Sequence, residues 1–174
     1  ISFTIKGREL IQNRIRNQYN NLKKSNLVEA NINHLIERNT FTVTTGHQLN
    51  IFTGPLYVIY KIATTIILAN KLNKIHKDKN FVPIYWMASE DHDFDEIKSF
   101  RLFGKNYHWN ITPSGPVGDI DPKGLKSILK ELPERVKLFE NAYLKSISLS
   151  DAVRIYINEL FGKYGLLILD PRDK

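Results

Sequence analysis

A turn built from glycine and histidine follows a short β-branched run, FTVTT, at residues 41–45. Such a run is typical of a strand, and the start of a following helix would offer free N–H groups to an anion. Gly46 permits close approach of the backbone to a ligand, and His47 can donate a hydrogen bond to a phosphate or to a developing negative charge. His47 is therefore a candidate catalytic residue, and the candidate binding residues around it are Thr44, Thr45, Gly46, Gln48 and Asn50. The alternative is a tight turn between a strand and a helix, in which the histidine has only structural partners.

A second polar segment, SEDHDFDE at residues 89–96, follows the apolar run FVPIYWMA at residues 81–88. Five of its side chains are carboxylic acids, and crowding predicts a raised pKa for at least one of them if it is partly buried. Such a cluster can bind magnesium, hold an amine or act as a general base. The candidate binding residue is Ser89, and the candidate catalytic residues are Glu90, Asp91, His92 and Asp93. The alternative is an acidic first turn of a helix, which we favour for Asp95 and Glu96. We assign no metal ligands, because His92 lacks the second histidine that a zinc helix motif requires.

The two polar segments follow the strands of one predicted βαβ unit. The first strand leads to a predicted helix over residues 55–75, and that helix leads to the second strand. We expect strand pairing to begin after Pro83, because proline has no N–H for the ladder. Apolar residues lie on nearly all sides of the predicted helix, which is typical of a buried helix. This order predicts an α/β protein with a parallel sheet, whose ligands bind at the carboxyl ends of the strands. A third strand over residues 166–169 would bring Asp170 to the same edge.

The remaining residues predict helices and one irregular segment. Residues 1–40 have helical spacing of apolar residues, and we assign residues 41–174 to part of the parallel-sheet core. Prolines and glycines concentrated in residues 104–122 predict a loop or short hairpin inserted in the core or attached beside it. Residues 125–144 predict an amphipathic helix that is broken near Pro133.

The composition excludes several classes of protein. The chain has 174 residues, of which 42% are hydrophobic and 25% charged, as in ordinary globular domains. Because it has no cysteine, it cannot form a disulfide, a zinc–thiolate site or an iron–sulfur cluster, and this fits a reducing cytoplasm. The net charge of +7 permits an anionic partner without identifying one. The sequence contains no run of about 20 apolar residues, no Walker loop, no GxGxxG, no nucleophile elbow and no RNA-binding sheet motif.

Two long motifs carry a resemblance to a known family. The segments TGHQLNIFTGPLYVIYKI at residues 45–62 and FVPIYWMASEDHDFDEI at residues 81–97 closely resemble the BshC family, the cysteine ligases of bacillithiol biosynthesis. The match is dense over residues 43–100 and includes both polar segments. The resemblance implies a Rossmann-like core related to nucleotidyltransferases and class I aminoacyl-tRNA synthetases. Family proteins are much longer, so we expect this chain to be a fragment of the N-terminal core that is inactive in isolation.

The same kinship bears on the turn at His47. In the related enzymes a His-x-Gly-His motif follows the first strand and contacts the phosphates of ATP. The matching residues here run from Thr44 to His47. Gly46 and His47 fit the motif, whereas Thr44 stands where the related enzymes have their first histidine.

The resemblance also implies a reaction, in which the carboxyl group of L-cysteine is joined to the amine of glucosaminyl-malate. The His47 turn would orient a phosphate or the developing oxyanion, and residues 90–93 would hold the amine and accept its proton. ATP with Mg²⁺ is the implied activator. We expect a cytoplasmic protein with small-molecule substrates and with no nucleic-acid or membrane partner. The full-length protein would be a homodimer joined through a coiled coil that is absent from this chain.

Three other functions are compatible with these residues. The first is another nucleotidyltransferase or adenylate-forming enzyme on the same core. The second is a metal-dependent hydrolase that uses Asp91, His92 and Asp93. The third is a basic module that binds nucleotides or RNA, which is disfavoured because the basic residues are scattered over predicted helices rather than clustered.

Overall fold

Helices and strands alternate through the first half of the chain, in the order that the sequence predicts. The computed structural model describes residues 4–172. Its helices are α1 (Ile5–Gln18), α2 (Asn26–His34), α3 (Leu56–Ile75), α4 (Phe94–Ile97), α5 (Lys126–Glu131), α6 (Lys137–Lys145) and α7 (Leu149–Phe161). Its strands are β1 (Thr40–His47), β2 (Asn80–Met87), β3 (Ser99–Leu102), β4 (Lys105–His108) and β5 (Leu167–Leu169).

The central sheet is parallel, with the strand order β1-β2-β5. β1 pairs with β2 over its whole length, and Pro83 lies opposite Val43 within that ladder. The expectation that pairing begins after Pro83 is therefore wrong. β5 pairs with β2 only from Ile84 onward, where it lies opposite Leu167, so one side of β2 has no neighbouring strand at the proline. On the side of β2 that has no neighbouring strand, the N–H that proline lacks removes no hydrogen bond between strands.

Helices cover both faces of the sheet. The side chains of each strand alternate between the two faces, and they pack into one hydrophobic cluster on each face. Val82, Ile84 and Leu167 pack against α1 and α2. Tyr85 and Met87 point to the opposite face, where they pack with α3, α6 and α7. The predicted α/β, Rossmann-like fold is thereby confirmed, and the N-terminal helices form one of its two helical layers.

The helix between the first two strands is buried along one side only. Val58 and Ile62 are almost inaccessible to solvent, whereas Tyr60 is 64% exposed and Ile67 is 66% exposed. The expectation of a fully buried helix is wrong for this chain, because no element among residues 4–172 covers the outer side of α3. The outer edge of β1 also pairs with no other strand in this part of the chain.

The second half of the chain closes the core beside β2. The hairpin is formed by β3 and β4 at residues 99–108, earlier than most of the predicted segment 104–122. Residues 109–121 continue as irregular chain with one short 3₁₀ turn, Val117–Asp119. α5 and α6 are separate helices on either side of Pro133, as predicted. Within residues 4–172, no helix has both the length and the apolar character needed to span a membrane.

Candidate active site

The two polar segments meet at the carboxyl edge of the sheet. His47 is the last residue of β1 and lies opposite Met87, the last residue of β2. The backbone N–H of Ala88 donates to the carbonyl oxygen of His47 at 3.1 Å, and the Tyr85 hydroxyl donates to the same oxygen at 3.3 Å. The structure therefore brings the His47 turn beside the acidic loop at residues 89–93. Their roles in catalysis stay predictions.

The His47 ring lies in a partly desolvated position. Burial lowers its pKa below the usual value near 6.5, and the nearby positive charge of Lys61 acts in the same direction. The Gln48 backbone and the Glu96 carboxylate oppose that shift. The Nδ1 atom is buried and has no hydrogen-bond partner in the described part of the chain. His47 is therefore a neutral imidazole at pH 7 with one buried, unpartnered ring nitrogen.

A cation from α3 lies against the same turn. The Lys61 Nζ donates a hydrogen bond to the carbonyl oxygen of Gly46 and lies 5.4 Å from the centre of the Tyr57 ring. Tyr57 in turn packs edge-on against His47, with ring centres 6.1 Å apart. Lys61 interrupts a run of apolar residues in the sequence, and a lysine in such a position is expected to meet an acidic side chain or to point into a cleft. Its partner is a backbone carbonyl, so no carboxylate of residues 4–172 neutralises its positive charge, which remains able to attract an anion.

The loop after His47 has an unusual backbone. Phe52, Thr53 and Gly54 have positive φ values of 52°, 70° and 56°. A Cβ atom at Gly54 would lie 2.4 Å from the Cβ of Asn50, so only glycine fits there. Asn50 is 6% exposed, and its side chain lies beneath this loop rather than open to solvent.

Two buried tyrosines hold the loop from below. The Tyr156 hydroxyl on α7 donates to the carbonyl oxygen of Asn50 at 2.9 Å. The N–H of Phe52 donates to the Tyr143 hydroxyl on α6 at 2.7 Å. Burial raises the pKa of both tyrosines above its usual value, so both stay neutral. These anchors come from far along the chain, and the sequence gives no local signal for them.

The acidic loop is organised by its own backbone. Asp91 accepts a hydrogen bond from the N–H of Asp93 at 2.9 Å, and Asp93 accepts one from the N–H of Glu96 at 3.3 Å as the N-cap of α4. The hydrogen bond from Asp93 holds the pKa of Asp91 below its ordinary value. Asp91 is therefore not a carboxyl group with a raised pKa. Asp95 and Glu96 lie in the first turn of α4, as we expected.

Gln48 connects the two segments. Its Nε2 donates a hydrogen bond to the Glu96 carboxylate, and its side chain contributes to the lowered pKa of Asp91. Thr44, Glu90, His92 and Asp93 are exposed at this edge, and Thr45 is partly exposed. The candidate residues other than Asn50 and Ser89 are thus at least partly exposed at this edge.

The end of β5 contributes a third group. Ser89 is completely buried, and its hydroxyl donates to the Asp170 Oδ1 at 2.5 Å. The Gln18 side chain bonds the backbone of Asp170 through both its amide nitrogen and its oxygen, at 2.9 and 3.0 Å. Asp170 therefore lies at the predicted edge, whereas nothing in the sequence marks Gln18. Among residues 4–172, no three histidine, aspartate or glutamate side chains are grouped to hold a metal ion.

The chain matches a known protein family over nearly its whole length. A family model described as "Bacillithiol biosynthesis BshC, N-terminal Rossmann-like domain" matches residues 2–174. The chain belongs to the BshC family. The resemblance seen in its two long motifs thus extends over nearly the whole chain.

Curated BshC relatives give the same result. A protein of Flavobacterium johnsoniae is 45% identical over 182 residues, covering 99% of this chain and 34% of that protein. A protein of Christiangramia forsetii is 48% identical over 174 residues, covering 92% of this chain and 32% of that protein. A Staphylococcus aureus protein is 33% identical over 189 residues, covering 95% and 34%. All three carry the name "Putative cysteine ligase BshC", and this chain spans about a third of their length.

Proposed function

We propose that the full-length protein joins the carboxyl group of L-cysteine to the amine of glucosaminyl-malate as a step of bacillithiol biosynthesis. The observation that carries this proposal is the BshC family match over residues 2–174, which includes both segments at the carboxyl edge of the sheet. Rossmann-like sheets bind their ligands at that edge. The hydrogen bond from Gln48 to Glu96 joins the two segments, so that one substrate can contact both.

The His47 turn suits the activated carboxyl group. Amide formation needs a carboxylate whose oxygen has become a leaving group, and ATP with Mg²⁺ supplies that chemistry when bound. The neutral ring of His47 and the ammonium of Lys61 lie at one turn. Both groups can donate hydrogen bonds to phosphate oxygens. We propose that His47 donates a hydrogen bond to a phosphate or oxyanion, and that the positive charge of Lys61 offsets the negative charge of that group.

The acidic loop suits the amine. Asp91 stays ionised at neutral pH because backbone N–H groups stabilise its carboxylate. We assign to Asp91 the binding of the substrate ammonium group. Glu90, His92 and Asp93 are its exposed neighbours in the loop, and we assign to one of them the proton that the amine loses before attack.

The test uses the full-length parent protein. It would be incubated with L-cysteine and glucosaminyl-malate, with and without ATP and Mg²⁺, and the amide would be measured by mass spectrometry. We expect product only with nucleotide, and we expect H47A and D91N each to reduce the rate by about 100-fold or more. The matched controls are H108A and D78N, which change an exposed histidine and an exposed aspartate outside the site.

The outcomes separate the function from the site. Product that is lost in H47A and D91N but retained in both controls would support the whole proposal. If neither site variant changed the amount of product, the ligase activity would be supported and the roles assigned to His47 and Asp91 would be refuted. A folded protein that forms no amide under any condition would refute the ligase and favour another adenylate-forming enzyme on this core, to be sought with other amine acceptors.

Two coarser proposals accompany the reaction. We propose that the full-length protein acts in the cytoplasm on small molecules, and that it is a homodimer. Sedimentation of the full-length protein tests the second point, since a monomer at micromolar concentration would refute it.

A further inference from the structure

A cavity of about 570 Å³ opens beside the carboxyl end of β5. Its walls come from the end of α1, the connection between α6 and α7, the first turns of α7, and the turn after β5. The polar groups that matter most are Asn17, Lys145, Ser146, Asp151, Arg154 and Arg172. The cavity shares Asp170 with the candidate site but contains none of the residues of the His47 turn or of the acidic loop, so it adjoins the proposed ligase site without coinciding with it.

Two cations of this cavity have no acidic partner. Arg172 is paired, because it donates two hydrogen bonds to Asp119 at 2.7 and 2.6 Å. The side chains of Arg154 and Lys145, by contrast, form no ion pair or hydrogen bond with any residue in the range 4–172. The Nε atom of Arg154 is moreover buried. A partly buried guanidinium without a partner is unusual, because loss of hydration is normally offset by an anion or by hydrogen-bond acceptors.

A buried hydroxyl in the same wall also lacks a partner. Ser146 is 4% exposed, and its Oγ forms no hydrogen bond within the described chain. Buried polar groups in native proteins almost always have a partner. An unpartnered hydroxyl and an unpartnered guanidinium in the wall of one cavity indicate a ligand that supplies acceptor oxygens.

The acidic residues of the cavity limit what that ligand can be. Asp119 is neutralised by Arg172, and Asp170 accepts hydrogen bonds from Ser89 and from the Arg172 N–H. Asp151 remains, and it can accept hydrogen bonds from hydroxyl groups. The free groups therefore match a small oxyanion that also carries hydroxyl groups.

We propose that this cavity binds a small oxyanion, a phosphate or a carboxylate, between Arg154, Lys145 and Ser146. Arginine is suited to both, because its planar fork donates two parallel hydrogen bonds to either group. The lysine adds charge at the cavity rim, and the serine hydroxyl donates to a further oxygen.

The test is isothermal titration of the full-length protein with inorganic phosphate and, separately, with succinate at low ionic strength. The H47A background is used throughout, so that phosphate binding at the His47 turn does not contribute. We expect at least one probe to bind. R154Q should weaken the affinity for that probe about tenfold or more, and K145Q should weaken it about threefold. The affinity of R154K should lie between those of the wild type and R154Q. R101Q, which removes an exposed arginine of β3 outside the cavity, should leave affinity unchanged.

Each result decides the proposal. Binding of either probe that depends on Arg154 and not on Arg101 supports it, and the preferred probe tells phosphate from carboxylate. Absence of binding by both probes, or equal affinity in R154Q and R101Q, overturns it. If circular dichroism shows that R154Q is unfolded, K145Q decides, because Lys145 is exposed and its substitution leaves the core intact. Unchanged affinity in K145Q would then overturn the site.

Discussion

Replacing Gly54 with alanine tests whether the loop after β1 is as constrained as its backbone indicates. Gly54 has φ 56° and ψ −142°, a conformation nearly restricted to glycine, and forcing another residue into it costs about 1–3 kcal/mol. The new Cβ would also lie 2.4 Å from the Asn50 Cβ and 2.7 Å from its Cγ. Overpacking of this kind adds about 1–3 kcal/mol, so we expect a loss of roughly 2–6 kcal/mol in the free energy of unfolding.

Gly104 provides the matched control. It also has a positive φ, 82°, but a Cβ there would meet nothing within 4 Å. G104A should therefore show only the backbone contribution, about 1–2 kcal/mol. The double variant N50G/G54A removes the clash and should recover part of the loss.

Urea unfolding of the chain, followed by the fluorescence of Trp86 and Trp109, measures these differences as shifts in midpoint at constant slope. The reasoning would be refuted if G54A and G104A were equally stable, or if removing the Asn50 side chain failed to improve G54A. Either result would mean that the loop relaxes freely and does not hold His47 in a fixed position.

Three further predictions concern protonation and buried hydrogen bonds. Burial lowers the pKa of His47 in the folded chain, so the unfolded state binds the proton first as pH falls. The free energy of unfolding should therefore decrease below about pH 6.5, and H47Q should reduce that pH dependence. An imidazole titration midpoint at or above about 6.5 in the NMR spectrum of the folded chain would contradict this. Y143F leaves a buried N–H of the loop without an acceptor and should lose about 1–3 kcal/mol in urea unfolding, whereas Y164F at an exposed ring should change little. S89A removes the donor to Asp170 and should lose about 1–3 kcal/mol, and thermal unfolding equal to that of wild type would show that the pair is dispensable.

The placement of the site could be predicted because it depends on local patterns. Strand-forming runs before Gly46 and before Ser89 fix where each strand ends, and the helix between them requires parallel pairing. The two polar segments must then share an edge, as the pairing of His47 with Met87 confirms. The Asp170 position follows from the same rule.

Other features could not be predicted, because they depend on distant residues or on local geometry. Tyr143 and Tyr156 support the loop at Asn50–Phe52 from 91 and 106 residues away. The pKa of Asp91 is lowered mainly by the backbone N–H of Asp93, and the composition of the segment does not show where that N–H points. A helix that is apolar on all sides does not show which side the core covers, so the exposure of Tyr60 was outside the reach of periodicity.

The outer side of α3 and the outer edge of β1 together determine how this chain behaves when it is produced alone. Tyr60 and Ile67 are more than 60% exposed, and the neighbouring strand edge pairs with no other strand within residues 4–172. Apolar surface beside an open edge is a template for intermolecular β-pairing. At high concentration the isolated chain will therefore self-associate through this side. A lysine in place of Thr42, an exposed residue of β1, should keep it monomeric.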